Sequence, residues 1–297
     1  METQIQAFET TCEDGVVLKG KLIIPDEPKA VVQLNAGTAT KKEFYLPFLT
    51  YLAEHGYIGC LWDYRGTGES APENLKDCSY SFSEYGTKDM PAIRDYLKTQ
   101  FPTLPLMLVG HSAGGQQVGL MDSCDDYLGM IGVAVSTGYA PGFFLGYRLQ
   151  TEFFFRLYTP ISVLLTGYLA AKRFGIMEDL PKHVIYEWKD WCREKEYLFH
   201  PKFRGKTIPY GHYDEMPFPM HVYRFTDDKL STEANVTSLW SHIHSQKEII
   251  HHVIAPEEIG EKAIGHFGFF RKRMKDKIWP GVLEQLDEFL SQRMLTA

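Results

Sequence analysis

The chain has 297 residues, 44% of them hydrophobic and 23% charged, and a formal net charge of −7. This is the composition of a globular protein with room for a large core in one or two domains, and it excludes disordered and collagen-like classes. The negative balance excludes the basic footprint of a nucleic-acid-binding domain. Residues 4–24 read as two antiparallel strands that turn at Glu13-Asp14-Gly15. The pattern then changes to short apolar strands alternating with helices. Ala30–Leu34 reads as a buried strand, Lys42–His55 as a helix with apolar Phe44, Leu46, Phe48, Leu49 and Leu52, and Tyr57–Trp62 as a strand. A helix over Phe82–Thr99, a strand Leu104–Val109, a helix opening after Ser112 and a strand Met130–Ser136 follow. Two further strands, Met220–Phe225 and Ile249–Ile254, each precede a helix, and a last helix covers Gly281–Leu295. Such alternation predicts an α/β fold, with right-handed crossovers and a mostly parallel central sheet covered by helices on both faces.

The alternation stops over residues 138–217, which hold 18 of the chain's 41 aromatic side chains. An insertion at that point sits over the carboxyl ends of the strands, where open α/β sheets bind ligands. We read it as a mostly helical cap on a core of residues 1–137 and 218–297, with most of its aromatics packing the cap's own small core. Its longest uncharged apolar stretch, Leu157–Ala171, contains Pro160 and Gly167 and is shorter than the roughly 20 residues a spanning helix needs. A buried or pocket-lining helix is the preferred reading, and membrane-surface contact the secondary one.

Cys12, Cys60, Cys78, Cys124 and Cys192 are odd in number, scattered and without Cys-x-x-Cys spacing. They read as reduced thiols of a cytoplasmic protein. Residues Met1 to Gln6 show neither the basic nor the apolar region of an export signal. His242-x-His244 and His251-His252 lack a carboxylate at ligand spacing, so neither pair reads as a metal site. No metal or redox cofactor is expected, and the oligomeric state is not legible.

The most informative segment is Gly110-His111-Ser112-Ala113-Gly114, placed between an apolar strand and a helix. A Gly-x-Ser-x-Gly turn in that context lifts a serine hydroxyl to the tip of a tight bend, where it serves as a nucleophile. A serine needs a base within hydrogen-bond reach, oriented by a carboxylate. Phe225-Thr226-Asp227-Asp228 follows one late strand, and Ile264-Gly265-His266-Phe267-Gly268 lies beyond the next. With these residues and the loop Asp63-Tyr64-Arg65-Gly66-Thr67-Gly68-Glu69-Ser70, the chain resembles the α/β-hydrolase superfamily over roughly residues 4–137 and 218–295. The resemblance implies Ser112 as nucleophile, His266 as base and Asp228 as orienting acid. Asp227 is the alternative acid, and otherwise caps the loop through backbone hydrogen bonds. It also implies an oxyanion hole from the N–H of Ala113 and that of Ala36 or Gly37, where many relatives have His-Gly and this chain has Asn35-Ala36. Asp63 to Gly66 is read as structural.

The segments Gly175 to Pro181 and Trp188 to Cys192, with Gly114-Gly115-Gln116-Gln117 and Ile264 to Arg271, look like those of a bacterial group of predicted hydrolases. Glu178 and Asp179 read as a solvated turn in preference to a polar gate over the pocket. The basic run Arg271 to Lys277 reads as a solvated helix face in preference to a phosphate or CoA site. The expected function is hydrolysis of an ester or thioester with an apolar acyl part, on a small-molecule substrate and without nucleic acid. An aminopeptidase-like amide hydrolase, with Glu178 or Asp179 holding the free amine, and a non-catalytic ligand-binding protein are the alternatives.

Overall fold

The computed structural model describes residues 3–296; Met1, Glu2 and Ala297, which belong to the terminal segments named above, lie outside the described residues. Strands β1 (Thr3–Thr11) and β2 (Val17–Pro25) form the antiparallel hairpin, and Gly15 at φ +84° supplies the left-handed residue of its turn. The remaining strands are β3 (Ala30–Asn35), β4 (Tyr57–Trp62), β5 (Leu106–His111), β6 (Tyr127–Val133), β7 (Met220–Phe225) and β8 (Ile249–Ile254). One eight-stranded sheet results, in the order β1-β2-β4-β3-β5-β6-β7-β8, parallel from β4 to β8. Every residue of β3, β4 and β5 is buried, as strands covered on both faces must be.

The helices are α1 (Leu46–Glu54), α2 (Met90–Gln100), α3 (Ala113–Gln116), α4 (Leu145–Phe153), α5 (Thr159–Thr166), α6 (Lys182–Trp191), α7 (Glu233–Trp240) and α8 (Trp279–Thr296). In the parallel register Asn35 lies beside Gly110, Gly110 beside Gly132, Gly132 beside Val222 and Val222 beside His251. The loops after β3, β5, β6 and β7 therefore leave the sheet along one edge, which is where the site forms.

Several elements depart from the sequence expectation for identifiable reasons. The helix expected over 82–99 begins as a π turn, Tyr85–Asp89, before α2. Pro91 sits in the first turn of α2, and the wider turn accommodates its missing N–H. Strand β6 stops at Val133, not Ser136, because Ala134 adopts φ +52° and turns the chain away. No α-helix directly follows β8. A 3-10 turn, Pro256–Ile259, and a loop with left-handed Gly260 and Gly265 occupy that place before α8.

The insertion is helical only in its first part. After α6 the chain runs to β7 through turns; the insertion's rings contact mainly one another, and some of its aromatics also reach the core. Tyr213 donates to the carbonyl of Gln116 (2.7 Å) and Tyr197 to its side-chain oxygen (3.1 Å), while Trp191 packs 5.1 Å from Phe82. Leu157–Ala171 is not a buried helix: Leu164 and Leu165 are 84% and 74% exposed, whereas Thr159 and Ser162 are buried. Among the described residues, no helix is long and apolar enough to cross a membrane.

The Asp63-to-Gly66 loop is held by buried charge. Arg65, fully buried, bonds the equally buried Asp89 through Nε (2.6 Å) and through its backbone N–H (2.9 Å), and reaches Asp14 at 2.8 Å. Lys42 pairs with Asp63, both buried, while Asp63 also accepts from the N–H of Glu69. Removing one member of a buried pair strands the other's charge. Asp89→Asn is thus expected to destabilise the fold by about 3–5 kcal/mol, read as a drop in the urea midpoint; a change within experimental error would show that Asp14 and Glu84 satisfy Arg65 without it.

Candidate active site

Ser112 occupies the turn between β5 and α3 with φ 49° and ψ −118°, a conformation that side chains other than glycine rarely adopt. Its N–H is tied to the carbonyl of Val133 (2.9 Å), and its carbonyl accepts from Gly115 and Gln116. The flanking glycines are sterically required. A Cβ on Gly114 would lie 2.0 Å from the carbonyl oxygen of Asn35, and one on Gly110 would lie 2.6 Å from the Cα of Gly115. The elbow therefore packs backbone against backbone onto the loop after β3.

His266 reaches the same place from the loop after β8. Its Nδ1 lies 2.8 Å from Oδ2 of Asp228, whose Oδ1 accepts the N–H groups of Leu230 (2.8 Å) and Ser231 (3.0 Å). Asp228 is buried, which alone would raise its pKa. The facing imidazole and these hydrogen bonds outweigh burial and hold the carboxyl below its ordinary value. Asp227 turns the other way and accepts the N–H groups of Ile264 (2.8 Å) and Gly265 (2.9 Å), immediately before His266. The adjacent carboxylates thus divide the work: Asp228 fixes the ring of His266, and Asp227 fixes the backbone that carries it.

A second network, absent from the sequence reading, runs behind the elbow. The N–H of Gly37 donates to Tyr45 Oη (2.8 Å), Tyr45 Oη lies 2.8 Å from His111 Nδ1, and His111 Nε2 lies 2.9 Å from the carbonyl of His266. A carbonyl only accepts, so Nε2 carries the proton, Nδ1 accepts, and the tyrosine hydroxyl donates to it. Burial, followed by the nearby charge of His266, pushes the pKa of His111 down to about 3. This neutral histidine ties the loops after β3 and β8 together across the elbow. Only the position of His111 in the motif hinted at it, since Tyr45 lies in a helical segment where an aromatic reads as core.

Ser112 and His266 line a cavity of about 320 Å³, together with Thr38, Phe143, Phe155 and Trp188. A wider lobe of about 660 Å³ shares Thr38, Ser112 and His266 and extends past Lys41, Phe44 and Arg271. Ala113 is buried at the start of α3. Of the loop after β3, Gly37 already gives its N–H to Tyr45, and Thr38 is the residue that lines both lobes. Ala36 lines neither.

Glu178 is not a solvated residue. It is buried at the wall of the wider lobe, with Lys172 at 2.9 Å and Lys41 at 3.5 Å, and Asp179 accepts the N–H of Lys172 (2.8 Å). In the basic run, Arg273 and Lys277 pair with Glu261 and Lys275 with Glu54, while Arg271 borders the wider lobe. His242 stacks on Phe199, His251 lies edge-on to Trp240, and His252 contacts His221 at 2.9 Å. Among the described residues, no group of three or more His, Cys, Asp and Glu side chains is gathered for a metal ion.

The sequence profile of the serine aminopeptidase family S33 matches residues 26–157. No protein of curated function matches the sequence. Solved structures align over nearly the whole chain. An esterase of Pyrococcus furiosus is 16% identical with a TM-score of 0.62, covering 98% of this chain and 91% of that one. A thermostable carboxyl esterase of Bacillus coagulans, in complex with glycerol, is 14% identical at TM-score 0.60 over 97% and 99%. A soluble variant of monoglyceride lipase from Saccharomyces cerevisiae, with a substrate analogue, is 15% identical at TM-score 0.60 over 97% and 94%. These likenesses show that the chain has the α/β-hydrolase fold.

The depressed pKa of His111 has a consequence for stability. Below pH ~6.5, the ordinary histidine value, the unfolded chain takes a proton at residue 111 that the folded chain refuses until about pH 3. Stability is therefore lost as pH falls through this window, by up to about 1.4 kcal/mol per pH unit. His111→Gln is expected to be less stable at pH 7 through its broken network. Its unfolding free energy, measured by urea titration, should fall less steeply than that of the wild type between pH 6 and 4. Equal slopes would mean that folded His111 does bind the proton.

Proposed function

We propose that this protein is a serine hydrolase that cleaves a carboxylic ester or thioester with an apolar acyl group, through an acyl-enzyme on Ser112. The observation that carries the reading is that strained Ser112 and an Asp228-held His266 line one aromatic-walled cavity. With Nδ1 turned to Asp228, Nε2 of His266 is left for the serine proton. Ser112 Oγ attacks the carbonyl carbon as its proton passes to Nε2. The imidazolium then returns the proton to the departing alcohol or thiol, and a water deprotonated by the same nitrogen releases the acid.

The N–H of Ala113 and that of Thr38, neither of which meets an acceptor among the described residues, are the donors for the oxyanion in this scheme. Thr38 takes the role that the sequence alone left between Ala36 and Gly37. The cavity, bordered by Phe143, Phe153, Phe154, Phe155 and Trp188, suits an apolar acyl chain. The structural neighbours named as esterases and a lipase support ester chemistry.

The matched profile is described as a serine aminopeptidase, which raises the amide reading. An aminopeptidase needs a carboxylate for the free amine. The buried candidate, Glu178, already faces Lys41 and Lys172, which favours ester over amide.

Wild type and Ser112→Ala should be compared for labelling by a fluorophosphonate probe and for turnover of p-nitrophenyl esters from acetate to long acyl chains. Serine-dependent labelling with a chain-length optimum is expected. Asp228→Asn should lower kcat by roughly 10³–10⁴-fold, because the imidazole loses the partner that fixes its tautomer. Asp227→Asn keeps that partner and should lose far less. Undiminished turnover in Ser112→Ala would overturn the mechanism, and a folded wild type with neither labelling nor turnover would leave the ligand-binding alternative.

A further inference from the structure

Residues 145–166 form one continuous helical rod, α4, the π turn Phe154–Tyr158, and α5. Its polarity is inverted. Thr159 and Ser162 face inward, buried, and Ser162 bonds the backbone of Tyr168 and Ala170. The exposed face instead carries Leu145, Leu149, Phe153, Leu157, Ile161 and Leu165, six large apolar side chains at four-residue intervals. In a pure α-helix each such step overshoots a full turn by about 40°. The π turn, with its i→i+5 bonds, takes up that drift and keeps the row on one side of the rod. Leu164 lies alongside at 84% exposure, and Phe174 and Ile176 beyond the rod are also exposed.

Scattered exposed leucines need no explanation, but a contiguous apolar ridge on an otherwise ordinary surface marks a docking site. Charge identifies the occupant. Between residues 138 and 177 stand four cations, Arg148, Arg156, Lys172 and Arg173, against one carboxylate, Glu152, in a chain whose net charge is −7. Arg156 is paired with Glu152, and Lys172 with Glu178 just beyond, which leaves Arg148 and Arg173 without a carboxylate among the described residues. Apolar groups with flanking arginines match an anionic lipid interface, in which the apolar row enters the acyl boundary and the cations meet the headgroups. The ridge is also continuous with the cavity, because Phe153 and Ile176 line its wall while remaining half-exposed on the outer surface.

We propose that the outer face of residues 145–176 docks this protein on an anionic phospholipid surface, with the mouth of the Ser112 cavity turned toward the lipid. The docking stands on the ridge and its charge and is independent of the chemistry assigned to Ser112.

The test is co-sedimentation of the full chain with vesicles of phosphatidylcholine alone and of phosphatidylcholine with phosphatidylserine. The wild type should pellet with the mixed vesicles and bind them at least about fivefold more tightly than the neutral ones, the worth of one cation near an anionic surface. The double variant Leu149→Asp/Leu164→Asp, neither residue lining the cavity, should stay in the supernatant with unchanged circular dichroism and thermal midpoint. Arg148→Glu/Arg173→Glu should lose the preference for phosphatidylserine. The proposal is overturned if the wild type remains in the supernatant with both vesicle types, or if the leucine double variant pellets like the wild type. It is equally overturned if sedimentation velocity finds a dimer that the leucine double variant dissolves, because a second copy then covers the ridge.

Discussion

The contact on which the site depends is the one between the elbow and the loop after β3, where Gly114 meets the carbonyl of Asn35 with no space for a Cβ. Strand pairing sets the approach, since Asn35 and Gly110 are register partners in adjacent parallel strands. Beyond the last pair the chain cannot continue as strand on both sides. The β5 side folds back into α3 through Ser112 in a conformation that costs on the order of 1–3 kcal/mol. Hydrogen bonds from Ser112 N–H to Val133, and from Gly115 and Gln116 to the Ser112 carbonyl, offset that strain. The turn leaves Ser112 at the wall of the cavity, and its strain persists because the flanking backbone is packed too closely to relax.

From this contact the remaining geometry follows by short chains of hydrogen bonds. Tyr45 and His111 join Gly37 to the carbonyl of His266, so the loops after β3 and β8 are fastened to the same elbow from behind. Asp228 then sets the ring of His266 from the side, and Asp227 sets its backbone from below the loop. Each loop end is thereby fixed by at least one buried or part-buried polar contact, where such bonds are stronger than in water and an unmatched group is expensive. A neutral His111 suits this place. A charge there would sit beside His266, and its proton would compete with the tyrosine for Nδ1.

The parts legible in the sequence are those governed by local rules. Strand and helix alternation, the Asp14-Gly15 turn and the glycine-flanked serine each reflect a constraint that acts over a few residues; the turn and the serine fall where local reasoning puts them, and the alternation holds except at the boundaries described above and after β8. The pairing of Asp228 with His266 is what the resemblance implies, with Asp227 as the alternative, and the two can meet because parallel strands deliver successive loops to one edge. What escaped is set by contacts remote in sequence. Nothing local distinguishes Tyr45 from a core aromatic, or shows that Gly37 gives away its N–H and leaves Thr38 at the cavity. Glu178 reads as turn composition, and its burial depends on Lys41, 137 positions earlier, and on Lys172. The loop in place of a helix after β8 is fixed by Asp227, again from another element.

The same covalent device appears twice in this chain with opposite results, and the contrast shows what decides polarity. Pro91 in α2 and Pro160 in α5 each fall in the first turn of a helix that directly follows a π turn. In both, the i→i+5 turn takes up the carbonyl geometry that a proline disrupts and lets the rod continue. Helix α2 then lays Ile93 and Leu97 into the core beside the sheet, as an amphipathic helix on an apolar face should. Helix α5 instead meets the backbone of residues 168–170, where polar partners wait. Its Ser162 and Thr166 bond to that backbone, and its leucines are left to the outside. Helical periodicity is legible in either case, but which face is inner depends on the surface against which the helix is set. For the insertion that surface is another loop's unpaired carbonyls and N–H groups, which a leucine could not satisfy.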